Sequence, residues 1–475
     1  MDVNPVMDNQ FFSCKNLISE LSQKKISSRE IVEMCLKRIE ENKTLNAVAY
    51  IDEDLVRRQA DKADQMRMQG AVLPLLGIPI SVKDSISVKD MPWRSGSFAR
   101  ADVVGKEDAS VVEKLRNAGA IFICKSTIPE YTWSVETDSA LHGPTLNPYD
   151  LDRTCGGSSG GEAVLHAIQA SPAGVGSDGL NSIRVPAHFC GTAGLRPTSG
   201  VIPETGVWPS TRASGLLDIS TIGPMSRSAD DLDLLFSIMQ GPDNKDPFTH
   251  PMSLRPNISS MKELKIGFFR SHPYAPASSD VQGAVVKAAQ TLSNAGANIE
   301  EINPWPLDST IEIAFGLMAP DGGERVRNDV SAAGGKHAPS FAALLNQLKS
   351  QTLTITQYLK VVEEFTSLRS LIRTTLSKYD AVIMPVASDT APLHLSSLSS
   401  DGGGLSIEGY SYSFAIALAG APSVSVPIQL SSANLPIGVQ IVGSPHDDYK
   451  IMSIATYIQK TLNSYLSIQS TGGSK

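Results

Sequence analysis

The stretch 75–84, LLGIPISVKD, decides how the rest of the chain is read. Gly77 and Pro79 bound a short apolar run, the pattern of a buried strand. Working outward, ASVVEKLRNAGA (109–120) carries apolar residues at helical spacing and stops at Gly119, a C-cap glycine. AIFICKST (120–127) is a second buried strand. Strand, helix, strand is the α/β pattern with a covered sheet. Upstream, 12–70 reads as helices. Ile31, Val32, Cys35, Leu36 and Ile39 share one face, and Ser28 is the expected cap. Downstream the alternation continues. Helices are expected over 225–245, 281–297 and 449–462, and strands at LKIGFF (264–269) and YDAVIMPVA (379–387). APSVSVPIQL and LPIGVQIVG pair across a polar SSAN turn. The segment 305–375 is mainly helical. The expectation is one large α/β domain over 71–465 with a mixed, twisted central sheet covered by helices on both sides. A helical layer of the same domain covers 1–70, and a tail covers 466–475.

Composition excludes several classes of function. Net charge is −8, with 41% hydrophobic and 19% charged residues. That is a globular balance without the basic excess of a nucleic-acid binder or a lipid-surface anchor. No apolar run is long enough to cross a membrane, and MDVNPVMDNQFFSCKN has no basic-then-apolar leader pattern. A cytoplasmic protein is therefore expected. Cys14, Cys35, Cys124, Cys155 and Cys190 are scattered, with no CxxC pair. Neither a zinc site nor a disulfide framework is expected. Cys155 lies near the densest motif but has no activating neighbour in sequence, so it reads as a small buried hydrophobe.

Three patterns carry chemistry. Lys83 lies just past the apolar core of the first strand; alone it reads as a lysine snorkelling to the surface. CGGSSGGEAVL (155–165) brackets Ser158 and Ser159 with glycine pairs ahead of a helix. Such a loop brings backbone N–H groups and hydroxyls close to a ligand, and it lacks the GK[ST] ending of a phosphate loop. GSDGLNSIRVPAHFCGTAGLRPTSG (176–200) sets Ser182 between Asp178 and Arg184, two side chains able to pair and fix the turn.

Together these patterns resemble the amidase signature family. The family's hallmark is a Gly-Gly-Ser-Ser-Gly-Gly loop, an Asp-x-Gly-Gly-Ser-Ile-Arg segment, and an upstream lysine in a Gly-hydrophobic-Pro strand. HGPTLNPYDLDRTCGGSSGG (142–161), GLRPTSGVIP (194–203), DISTIGPMSRSADDLDLLFSIMQGPD (218–243) and APSVSVPIQLSSANLPIGVQIVGSPHDD (421–448) extend the likeness over roughly residues 12–465. The resemblance implies a Ser-Ser-Lys triad with Ser182 as nucleophile, Lys83 as base and Ser158, after a cis Gly157–Ser158 bond, as proton relay. Backbone N–H groups of Gly179, Leu180, Asn181 and Ser182 would form the oxyanion hole, with Ser159, Asp178 and Arg184 in support. Trp133, Phe315 and Met318 would line the substrate pocket, with the segment 305–360 as a variable wall within a substrate-pocket region of about 305–375, and Tyr412 and Phe414 as weaker candidates. The implied partner is a small-molecule amide, with no metal and no cofactor, and a homodimer is a compatible assembly.

The chain departs from the family at Leu180 and Asn181, which replace two glycines. Leucine enters the left-handed region poorly, so either the backbone path differs or it is strained. Leu180 also adds bulk beside Ser182. A histidine base drawn from His142, His166 or His188 is the rival within enzymes, although no G-x-S-x-G elbow is present. Two function classes follow: an amide hydrolase or acyl-transferring enzyme, with esterase activity within the same chemistry, and a non-catalytic amidase-like binding module.

Overall fold

The computed structural model describes residues 12–210, 218–252, 258, 260–396, 405–466 and 468. Most of the expected tail 466–475 thus lies outside the described residues. Thirteen strands occur among them: β1 (Val48–Tyr50), β2 (Pro79–Lys83), β3 (Ile121–Ser126), β4 (Leu146–Asn147), β5 (Asp150–Thr154), β6 (Ala173–Asp178), β7 (Ala193–Arg196), β8 (Thr221–Ser226), β9 (Lys265–Phe268), β10 (Asn298–Glu301), β11 (Ala381–Pro385), β12 (Ser423–Leu430) and β13 (Pro436–Val442). Eleven form one sheet in the order β1-β3-β2-β6-β8-β7-β12-β13-β11-β9-β10, while β4 and β5 pair separately. The sheet is mixed. β3, β2 and β6 run parallel, as do β11, β9 and β10. Antiparallel pairs join β6 to β8, β8 to β7, β7 to β12, β12 to β13 and β13 to β11.

Helices flank this sheet because its central strands are buried along their length. Every residue of β2, β3, β8, β11 and β13 is buried. Such strands carry apolar residues almost continuously and need cover on both faces. Gly160–Ala167 packs on β2, β6 and β8, Arg184–Cys190 on β12 and β13, and Asp448–Leu462 on β12. Ser28–Glu41 and Glu53–Met68 pack together near β3. The cap of the first of these is Ser27 rather than Ser28. Its hydroxyl accepts from the Glu30 N–H while Glu30 reaches back, a capping box that takes the outer of two adjacent serines. No helix among the described residues is long and apolar enough to cross a membrane.

Two features of this arrangement position the site. β2 and β6 are neighbours, so Lys83 and the Ser177–Asp178 pair reach the same end of the sheet. The expected helical segment forms Thr310–Met318, Glu324–Asp329, Pro339–Leu348 and Ile355–Leu376. Their apolar faces make clusters distinct from the main core. One joins Tyr131 and Trp133 to Val326, Val330, Phe341 and Leu345.

Candidate active site

Lys83 ends β2 with its side chain fully buried, which overturns the snorkelling reading. Its Nζ lies 2.6 Å from Ser158 Oγ, 3.0 Å from Ser177 Oγ and 3.2 Å from the Ser177 carbonyl. Among the described residues no carboxylate pairs with it at salt-bridge distance. Burial lowers its pKa to about 7, against the upward pull of the Asp178 and Glu162 charges. Lys125, one strand away on β3, is buried too, yet it has Asp84 at 3.8 Å and falls only to about 8. At pKa about 7 a lysine spends much of its time neutral at physiological pH. It can then accept a proton from Ser158 while donating to Ser177.

The serine loop precedes the helix Gly160–Ala167, and its Gly157–Ser158 peptide is cis. The close quarters explain its glycines. A Cβ on Gly157 would fall 2.7 Å from the Glu136 carbonyl oxygen, and one on Gly161 2.6 Å from that of Thr127. Ser159 ties the loop to its neighbours: its N–H donates to the Ser182 carbonyl at 3.1 Å, and its hydroxyl donates to the Ser177 carbonyl at 3.2 Å.

Ser182 sits in the turn between β6 and the helix Arg184–Cys190. Asp178 anchors that turn. It accepts from the Ile183 N–H at 3.1 Å and from Arg184 Nε and Nη2 at 3.0 Å each. Burial opposes ionisation of Asp178, but Arg184, with Arg196 beyond it, holds the carboxyl below its ordinary range. Arg184 also donates to the Leu180, Ser413 and Gln440 oxygens, so its fork is satisfied on several sides. None of residues 179–182 has a positive φ. Leu180 is therefore accommodated without left-handed strain, and its side chain packs against two apolar clusters. Among the described residues nothing accepts from the backbone N–H groups of Leu180, Asn181 or Ser182.

Ser158 and Ser182 open onto one cavity of about 120 Å³. No direct hydrogen bond joins their hydroxyls. Trp133, Phe315 and Met318 line this cavity, as do Leu180 and Phe414. Tyr412 does not: it is fully buried and its hydroxyl donates to the Ala275 carbonyl. Leu344 lines the cavity too, from the segment 305–360 expected as a variable wall; sequence reasoning passes over Val207 and Ile407, which come from distant segments. It also passes over Ser177, the second hydroxyl on Lys83, whose place in the 176–200 motif is the available signal. Cys155, His166 and His188 are otherwise engaged. Cys155 is buried and its thiol is pushed up to about 12. His188 accepts from the Gly438 N–H and donates to the Asp389 carbonyl, and His166 Nδ1 lies 3.1 Å from the Ser171 carbonyl. No histidine hydrogen-bonds to Ser182 among the described residues.

A family model described as Amidase matches residues 30–452. The chain belongs to the amidase family. It is an amide hydrolase acting on C–N bonds, as members of that family are. It is 28% identical to a glutamyl-tRNA(Gln) amidotransferase subunit of Legionella pneumophila (strain Corby), over 96% of this chain and 98% of that protein. It is 30% identical to an acylamidase of Rhodococcus erythropolis, over 65% of each. A crystal structure of an amidase superposes with a TM-score of 0.82 at 25% identity, covering 95% of this chain and all of the other.

Proposed function

We propose that this amidase cleaves a small carboxamide, or transfers its acyl group, through an acyl-Ser182 intermediate, with Lys83 as base and Ser158 as proton relay. The observation that carries the reading is the contact of a fully buried lysine, shifted to about 7, with Ser158 Oγ at 2.6 Å. A serine hydroxyl attacks poorly until a base takes its proton. Ser182 Oγ attacks the amide carbonyl carbon as its proton passes to Ser158 and the Ser158 proton passes to Lys83. The backbone N–H groups of Leu180, Asn181 and Ser182 are the donors available to the developing oxyanion, and losing one such donor costs roughly 3–4 kcal/mol in comparable sites. The C–N bond then breaks. The leaving nitrogen takes the proton back along the same path. Water, or another amine, attacks the ester and frees Ser182. The Ser158–Ser182 contact closes when substrate fills the cavity, since catalytic hydrogen bonds commonly tighten on binding.

Among the described residues, no charged side chain lines the cavity. Glutamine, with an α-ammonium and an α-carboxylate, would shed hydration there without compensation. This favours a neutral amide over the substrate that the amidotransferase name suggests. A fluorophosphonate probe tests the reading. Ser182 should be labelled, and labelling should fall by about 10²–10⁴-fold in Lys83→Ala. A folded protein with an inert Ser182 would instead be an amidase-like binding module.

A further inference from the structure

Leu180 stands just ahead of Ser182 in the same turn and lines the same cavity. Its carbonyl accepts from Arg184 Nη2 at 2.6 Å, which pins the backbone from which its isobutyl group projects. That group packs against two apolar clusters. The clusters draw Ile313, Ala314 and Leu317 from the helix Thr310–Met318, and Phe414 from the helix Ser411–Ala419. The Leu180 side chain therefore runs from the Ser182 turn to the helical side of the cavity. A glycine at this position, as in the family's motif, would leave that space open. With the leucine in place the cavity is about 120 Å³, and Phe315, Met318 and Phe414 share its wall. For scale, an engineered apolar cavity of about 150 Å³ holds a single benzene. The room beside Ser182 is that of a short aliphatic chain.

The proton path sets the directions. The leaving nitrogen takes its proton from Ser158, so the amine departs on the face where Ser158 and Lys83 lie. The acyl substituent occupies another corner of the same tetrahedral carbon and is turned away from that face, toward the helical side. Leu180 meets it there. Resting on the acyl-Ser182 reading, we propose that Leu180 is a specificity residue that closes the acyl pocket, so that this amidase prefers amides of short aliphatic acids and excludes longer acyl chains by steric overlap.

The test measures kcat/KM for propanamide and hexanamide, primary amides that differ only in acyl length, in the wild type, Leu180→Ala and Leu180→Gly. The turn runs at negative φ here, so both substitutions fit the backbone. The wild type should prefer propanamide. That preference should fall roughly tenfold or more in Leu180→Gly, the scale set by a methylene in an apolar pocket, and by less in Leu180→Ala. Propanamide against N-butylpropanamide, which lengthens the amine instead, should keep its ratio in all three proteins. A wild type that prefers hexanamide, a propanamide preference unchanged in the variants, or an equal shift in the amine pair overturns the proposal and leaves the acyl-Ser182 reading standing. Fluorophosphonate labelling of Ser182 checks that each variant is folded, and Leu180→Ala decides alone should Leu180→Gly fail that check. If wild-type Ser182 is labelled but neither propanamide nor hexanamide is cleaved, the short-acyl assignment falls by itself. If Ser182 is not labelled and no amide is cleaved, the underlying reading fails and this one with it.

Discussion

The two sides of the cavity are built by different physics. On the sheet side, Lys83, Ser158, Ser177, Asp178 and Arg184 are joined by short polar contacts between β2, the serine loop and the turn after β6. On the helical side, Phe315, Met318 and Leu344 present apolar surface from helices that form a cluster of their own with Tyr131 and Trp133. Polar ties from that wall run to the turn that follows β3. The Tyr131 hydroxyl donates to Asp329, and Glu130 accepts from the Ala338 N–H at 3.3 Å. A buried polar network has one satisfactory geometry, because each unpartnered group is costly. An apolar wall tolerates many side chains of similar volume. The first side is thus suited to holding one chemistry, and the second to setting what enters.

This contrast can be broken most severely at Asp178. Removing its carboxylate strands the buried Arg184 guanidinium and frees the Ile183 N–H beside the proposed nucleophile. Asp178→Ala should lower unfolding stability by about 3–5 kcal/mol, read from denaturant midpoints at constant slope. A loss under about 1 kcal/mol would mean that the network is not the rigid side. A smaller effect is expected across the cavity. Phe315→Ala should leave the fold intact and shift kcat/KM between short and bulky carboxamides by roughly tenfold in favour of the bulky ones. Equal effects on every substrate length would remove Phe315 from the pocket wall's selective role.

The same contrast explains what can be read from the sequence. Lys83, Ser158 and Ser182 are legible because each lies in a dense local motif, and joint spacing outweighs their separate ambiguity. Lys83 alone reads as a surface residue; only the burial of its whole strand reverses that. The α/β alternation is legible from continuous apolar runs between glycine stops. Ser177 escapes because its role depends on β2 lying beside β6, a pairing that periodicity does not encode. Val207 and Ile407 escape because a wall drawn from distant segments leaves no spacing to read. The Leu180 question is answered by dihedral angles: the turn runs at negative φ, so the replaced glycines are not required there. Asn181 also lines the cavity, with its Nδ2 sealed from solvent and without a hydrogen-bond partner.

The proposed base makes a direct demand on pH. A lysine whose burial lowers it to about 7 must lose its proton before it can act, so activity should be lost as pH falls through that value and gained as pH rises. The decisive measurement is kcat/KM for a neutral carboxamide from about pH 5 to about pH 10, with fluorophosphonate labelling of Ser182 followed alongside. The account predicts that both rise together with an apparent pKa of about 7 and then level off. A profile flat across that range, or one rising only near the ordinary lysine value of about 10.4, would contradict a buried neutral Lys83 as the base.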